Sequence, residues 1–185
     1  MDYKGIINQI EPELEKAISY LKRELIKIRS SRATPALVED ILIEYFGEKF
    51  SLKQLSSISI PGPREILIQP WDPSYLQPII KTLERSGRGF ILRAEKEVIR
   101  VILPPLTQEY KEELIRLVSQ KQEEARKTVR KWRDEAWSKI QQLWREGEIS
   151  EDGKFKGKKE LQKIVDEYME KIKTLGEKKK KEIEG

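Results

Sequence analysis

TQEYKEELIRLVSQKQEEARKTVRKWRDEAWSKIQQLWR, residues 107–145, contains neither glycine nor proline. Leu114, Val118, Ala125, Val129, Trp132, Ala136, Ile140 and Leu143 recur in it at mostly three- and four-residue steps, the period of one helix face. At about 1.5 Å per residue such a helix is roughly 55–60 Å long. A stripe of that length cannot be buried against a small sheet alone and requires partner helices of similar length. Two other segments supply them. In residues 5–29, Ile7, Leu14, Leu21 and Ile28 fall at heptad spacing, flanked by Ile10, Ala17, Ile18 and Leu25, a face suited to shallow-angle helix packing. Towards the C-terminus, Leu161, Val165, Tyr168, Ile172 and Leu175 step four, three, four, three along a third helix ending near Lys181. Thr107 is the expected N-cap of the long helix, with Glu109 in its first turn, and Gly147 its stop. Ser150 is the expected cap of the third helix, whose start is blurred by Gly153 and Gly157.

Between the first two helices the period shortens. Ser30, Ser31 and Thr34-Pro35 mark a boundary. Short β-rich runs follow: ILIEYF at 41–46, alternation at Phe50 and Leu52 and at Ile58 and Ile60, and Glu65–Gln69. Gly47-Glu48 and Pro61-Gly62-Pro63 separate them. Asp72-Pro73 reads as an N-cap followed by proline at the first helical position. The helix it opens runs to about Arg85, with Leu76, Ile79, Ile80 and Leu83 inward. Phe90–Arg93 and Val98–Leu103 are two further strands. The fold class is therefore α+β: a long three-helix bundle, residues 1–30 and 106–185, with a small α/β domain, residues 31–105, inserted after the first helix. The chain leaves the bundle at 30–35 and returns at 104–107. Two short connections permit the insert to swing as a hinged body.

The 185 residues carry 37% charged side chains and a net charge of +5, with no cysteine and no histidine. Disulfides, thiolate nucleophiles and the commonest zinc ligands are excluded. No apolar run approaches the length of a membrane span, and the N-terminus lacks the order of a signal or transit peptide. A cytoplasmic protein fits. No phosphate-binding glycine loop or nucleophile elbow occurs, and Glu112-Glu113 and Glu123-Glu124 read as solvated helix faces rather than metal sites. No enzyme, cofactor or metal is expected.

The chemistry lies in ARKTVRKWR, residues 125–133, with five cations and no acid. Arg126, Arg130 and Arg133 share a stripe about 100° from the core stripe, with Lys127 and Lys131 on the next row. Arginines on a rigid rod can fork onto phosphates of a structured RNA. The competing reading is a solvated face paired with Glu123, Glu124 and Asp134. Trp132 lies in the core stripe. Trp137 and Trp144, seven residues apart, are either a wide core seam or an exposed contact patch, and Trp71 is expected to pack the insert.

The chain resembles the bacterial ribosome recycling factor family over nearly its whole length. The resemblance rests on LIKIRSSRATPALVEDILIEYFG (25–47), SLKQLSSISI (51–60), IQPWDPSYL (68–76), IRVILPPLTQEYKEELIRLV (99–118), VRKWRDEA (129–136), ISEDGK (149–154) and LQKIVDEYMEKI (161–172). It implies a non-enzymatic translation factor that binds the ribosome at the subunit interface after termination. The bundle would lie against large-subunit rRNA. Elongation factor G with GTP would push the inserted domain and split the subunits, releasing mRNA and tRNA. Neither DNA nor membrane is an implied partner, and a monomer is expected. By position, the rRNA-contacting arginines fall on Arg130 and Arg133, to which the basic window adds Arg126 and Lys127. Arg29, Arg32 and Lys111 complete the rRNA-binding set at the boundaries, where Arg29 and Arg32 match the family's two arginines and are expected to orient the hinge or touch RNA. The hinge falls at Ser30, Ser31 and Arg32 and at Leu103, Pro104, Pro105 and Leu106. Four places depart from the family pattern: Ser31 where glycine is common, Tyr110 in a usually basic pair, Asp134 after Arg133, and GRGFILRAEKE at 87–97. The alternative is a helical adaptor or regulatory protein-interaction module that binds protein helices through the Trp137/Trp144 face.

Overall fold

The computed structural model describes residues 2–185. The chain divides into two compact units, one of Met1–Leu25 and Arg116–Lys180, the other of Ile26–Ile115 and Lys181–Gly185. The greater part of three long helices makes up the first unit: α1 (Tyr3–Lys27), the long α4 (Gln108–Arg145) and α5 (Glu151–Glu184), whose residues 26–27, 108–115 and 181–184 belong to the second. Between α1 and α4 in chain order come β1 (Leu42–Tyr45), β2 (Glu48–Ser51), α2 (Leu52–Leu55), β3 (Ser56–Gly62), β4 (Glu65–Pro70), α3 (Leu76–Arg85), β5 (Ile91–Glu95) and β6 (Val98–Ile102).

In the helical unit, the apolar stripes meet as their spacing requires. Ile6, Ile7, Ile10, Leu14, Ala17, Ile18 and Leu21 of α1 are buried, as are Val118, Ala125, Val129, Ala136 and Ile140 of α4 and Leu161, Val165, Tyr168 and Ile172 of α5. Trp132 and Leu143, expected in the core, are only half-buried. One buried polar residue interrupts the α4 stripe. Gln122 sits between Val118 and Ala125, and its amide nitrogen donates to the Ile172 carbonyl at 3.0 Å. Gly176 makes room for it: a Cβ there would lie 1.9 Å from Gln122 Nε2. At the rim, Tyr168 donates to Glu15 at 2.8 Å and Tyr20 to Glu124 at 2.8 Å. The Glu15 carboxyl is held below its ordinary range, first by Tyr168 and then by Lys171.

The helix ends follow local chemistry. Thr107 Oγ1 accepts from the Tyr110 amide at 3.3 Å. At the other end of α4, Gly147 adopts φ +75°, its amide bonds the Trp144 carbonyl at 3.1 Å, and the Glu148 amide bonds Leu143 at 2.9 Å. That pair of bonds is a glycine-terminated helix stop. Ser150 Oγ accepts from the Gly153 amide at 3.1 Å, so α5 begins at once and runs through both glycines that blurred its start.

The second unit holds a four-stranded antiparallel sheet, order β3-β4-β6-β5, and the β1–β2 hairpin. Ile66 and Ile68 of β4 lie beside Val101 and Ile99 of β6 in register. Their inward side chains form one core with Ile79 and Leu83 of α3 and with Leu37, Val38, Ile43, Leu52 and Leu55. Asp72 accepts from the Ser74 amide at 2.8 Å, but what it caps is a 3-10 turn, Pro73–Tyr75, that leads into α3. Two other expectations change. The Phe50/Leu52 alternation does not continue as strand, because the Ser51 amide donates to Gln54 at 2.8 Å and a capping box opens α2. Trp71 does not pack the insert: its amide bonds the Leu55 carbonyl at 2.9 Å, but 66% of the residue is exposed.

Candidate nucleic-acid interface

Where the buried positions of α4 fall fixes where its cations point. Val118, Gln122, Ala125 and Val129 are inward, so Arg126, Arg130 and Arg133 emerge one residue on, beside the seam. Their side chains are 32%, 40% and 36% exposed. Each also has a carboxylate. Glu123 takes Arg126 at 3.5 Å and Arg130 in a closer contact. Its carboxyl is held below the usual range, first by the bond from Arg130. Arg133 directs Nε and Nη2 at Asp134 Oδ1, at 2.9 and 2.7 Å. Glu124 does not join the stripe. It faces Tyr20 and Lys121, with its carboxyl lowered first by Tyr20. Lys127 and Lys131 occupy the exposed outer row, and Lys131 lies 5.7 Å from the Trp132 ring centroid.

The guanidiniums are accessible, and they are pre-aligned by carboxylates rather than free. Exposed ion pairs of this kind are worth little net, so a phosphate that offers a better-matched bidentate acceptor can replace them.

A second group of predicted residues gathers in the other unit. Arg29, only 7% exposed, donates Nη2 to the Pro104 carbonyl. Its buried Nε has no acceptor, and burial lowers its affinity for its proton. Ser30 is buried and donates to the Arg32 carbonyl at 3.0 Å. Ser31 reaches the Glu182 carbonyl through its amide at 3.2 Å and its hydroxyl at 2.8 Å. Lys111 Nζ donates to the Glu184 carbonyl at 2.8 Å. Leu103 is buried, Pro104 and Leu106 half-buried, and Arg32 and Pro105 exposed. The Leu103 amide is fixed to the Arg64 carbonyl at 2.8 Å. Arg29 and Pro104 are thus tied to each other, Ser31 and Lys111 to the last turn of α5, and Ser30 to its neighbour Arg32.

The role of that last turn has no signal in the side-chain sequence, since only backbone carbonyls serve. Glu123 is visible in the sequence as a neighbour of the basic window, but its seven-residue reach to Arg130 is not. Among the described residues no group of three or more acidic side chains is placed to hold a metal ion, and no helix is long and apolar enough to cross a membrane.

Fold and stripe together define a class: an α+β protein of two units whose longest helix carries an ordered cationic face. Comparison with known proteins narrows it. The family model described as ribosome recycling factor matches residues 21–183. The ribosome-recycling factor of Aquifex aeolicus is 43% identical over 98% of this chain and 97% of its own. That of Carboxydothermus hydrogenoformans is 39% identical over 97% of each. A solution structure of the ribosome recycling factor matches with a TM-score of 0.83 and 42% identity, covering 99% of this chain and 97% of that one. Models for the T. thermophilus ribosome recycling factor and the E. coli elongation factor G bound to the E. coli post-termination complex match with a TM-score of 0.71 and 34% identity, over the full length of both chains. The chain belongs to the ribosome recycling factor family.

Proposed function

We propose that this chain is a cytoplasmic, non-enzymatic translation factor that, with elongation factor G and GTP, splits post-termination ribosomes into subunits and frees mRNA and tRNA. The observation that carries the reading is the family match across residues 21–183. The likeness to a recycling factor whose structure includes elongation factor G on the post-termination complex supports the choice of partners.

In this reading Arg126, Lys127, Arg130 and Arg133 grip phosphates of large-subunit rRNA. The aligned guanidiniums of the stripe support that assignment, with Glu123 and Asp134 giving way to phosphate. Residues 31–105 move as the inserted domain about Ser30–Arg32 and Leu103–Leu106. Arg29 acts at this hinge by joining its two strands, Lys111 ties the start of α4 to the last turn of α5, and Arg32 is free to meet RNA. The bond from Arg29 to Pro104 supports a hinge whose two strands bend together. The nucleotide belongs to elongation factor G, DNA and membranes are not partners, and the working form is a monomer.

The test is light scattering from post-termination ribosomes. A fall in scattering that requires this protein, elongation factor G and GTP together is the expected result. Ribosomes that bind the protein yet never split, with a cognate elongation factor, overturn the proposal.

A further inference from the structure

The basic stripe does not end at Arg133. Between α4 and α5, Arg133, Asp134 and Trp137 face Lys158, Leu161 and Gln162 across a pocket of about 270 Å³. Leu161 is buried and floors it. Trp137, half-buried, also lines it. Lys158 Nζ lies 5.6 Å from the indole centroid. Gln162 donates to Asp166 at 2.7 Å, which leaves its carbonyl oxygen to accept. We propose that this pocket takes one unstacked, amino-bearing nucleobase of RNA, its ring against Trp137 and its flanking phosphate between Arg133 and Lys158.

The chemistry of the lining selects that occupant. An indole face offers a stacking platform, the usual means of holding an unpaired base. The two cations suit the phosphate attached to it. Asp134 repels a phosphate inside the pocket but accepts from a base amino group, as Gln162 Oε1 does, so the flat group enters and the anion stays at the rim. The volume falls below the roughly 300–1,000 Å³ of sites that enclose a whole drug-sized ligand. A docked protein helix would need a row of apolar anchors along the groove, whereas Trp137 and Leu161 are interrupted by Arg133, Asp134 and Lys158. The contact of Lys158 over the ring is of the weak, exposed kind that a stacking base displaces.

The inference rests on the RNA-binding reading of the stripe, and the test separates the two. The full chain is titrated into a fluorescein-labelled RNA duplex, either fully paired or carrying one bulged adenosine, with anisotropy as readout. The bulge should improve affinity about ten-fold, the scale of a single stacked base. Trp137→Leu should bring the ratio close to one, and Trp137→Phe should leave it between. Trp137→Phe keeps an aromatic ring in the packing and carries the test if Trp137→Leu fails to fold. Arg130→Ala should weaken both duplexes and preserve the ratio. A ratio near one in the wild type, or one unmoved by Trp137→Leu, overturns the pocket while salt-dependent binding of both duplexes leaves the stripe standing. If neither duplex binds, both fall. If Trp137→Leu weakens ribosome binding with no bulge preference in the wild type, the pocket takes a protein group and the base assignment is wrong.

Discussion

Replacing Gly176 with alanine should destabilise the protein, although alanine is the better helix former. The helix-propensity gain in an interior position is about 1 kcal/mol. Against it stands the position of Gln122, whose Nε2 would lie 1.9 Å from the new Cβ. The carboxamide must swing away from the Ile172 carbonyl, to which it now donates at 3.0 Å. The carbonyl retains its place in the α5 backbone ladder, but the buried amide loses both acceptors, the Ile172 carbonyl and, at 3.5 Å, the Lys173 carbonyl. An unsatisfied buried donor costs about 1–3 kcal/mol, so the loss exceeds the gain by about 1 kcal/mol. For a chain of this size that lowers Tm by about 2–4 °C. In a Gln122→Ala background the obstruction is gone, and Gly176→Ala should raise Tm by a similar amount. The coupling between the two changes, about 2 kcal/mol, is read from a double-mutant cycle of thermal melts followed by far-UV circular dichroism. If Gly176→Ala shifts Tm in the same direction in both backgrounds, the glycine is not there to admit Gln122.

Glu123→Gln removes the carboxylate shared by Arg126 and Arg130. RNA affinity should rise about three-fold, and the dependence on salt should steepen, because two released guanidiniums can displace more counterions. Anisotropy titrations at several salt concentrations check this, and a loss of affinity would mean that Glu123 positions the arginines rather than competing with RNA. Ser31→Gly deletes the hydroxyl bond to Glu182 and widens the backbone freedom of the boundary. Amide exchange at residues 30–33 should accelerate several-fold in hydrogen-exchange mass spectrometry, while the sheet core at Ile66–Ile68 stays protected.

Much of this architecture is legible in the sequence, for identifiable reasons. A stretch without glycine or proline and with one apolar period leaves few options beside a long helix. Thr107, Gly147 and Ser150 act through local bonds that depend on their own side chains or on the lack of one. The insert is readable because strand alternation and turn residues are local too. Legibility fails where the deciding partner is distant or has no residue identity. The buried Gln122 hides inside an otherwise apolar stripe, and only Gly176, far along the chain, explains it. A capping box overrides the alternation at Leu52. Trp71 is a large apolar residue left exposed, which no pattern in its turn announces. The stripe itself was legible as a cluster of cations, but the choice between phosphate grip and paired surface was not. It depends on rotamers that place Glu123 under Arg130 two helical turns away.

The α4 stripe is the proposed grip on the ribosome. The most direct measurement compares wild type with the Arg130→Ala/Arg133→Ala double variant in two readouts: co-sedimentation with post-termination ribosomes at increasing salt, and splitting with elongation factor G and GTP. Binding should weaken at least ten-fold, with a shallower salt dependence and a matching loss of splitting, while the melting profile is preserved. Unchanged binding and splitting by a folded double variant would contradict that role for the stripe.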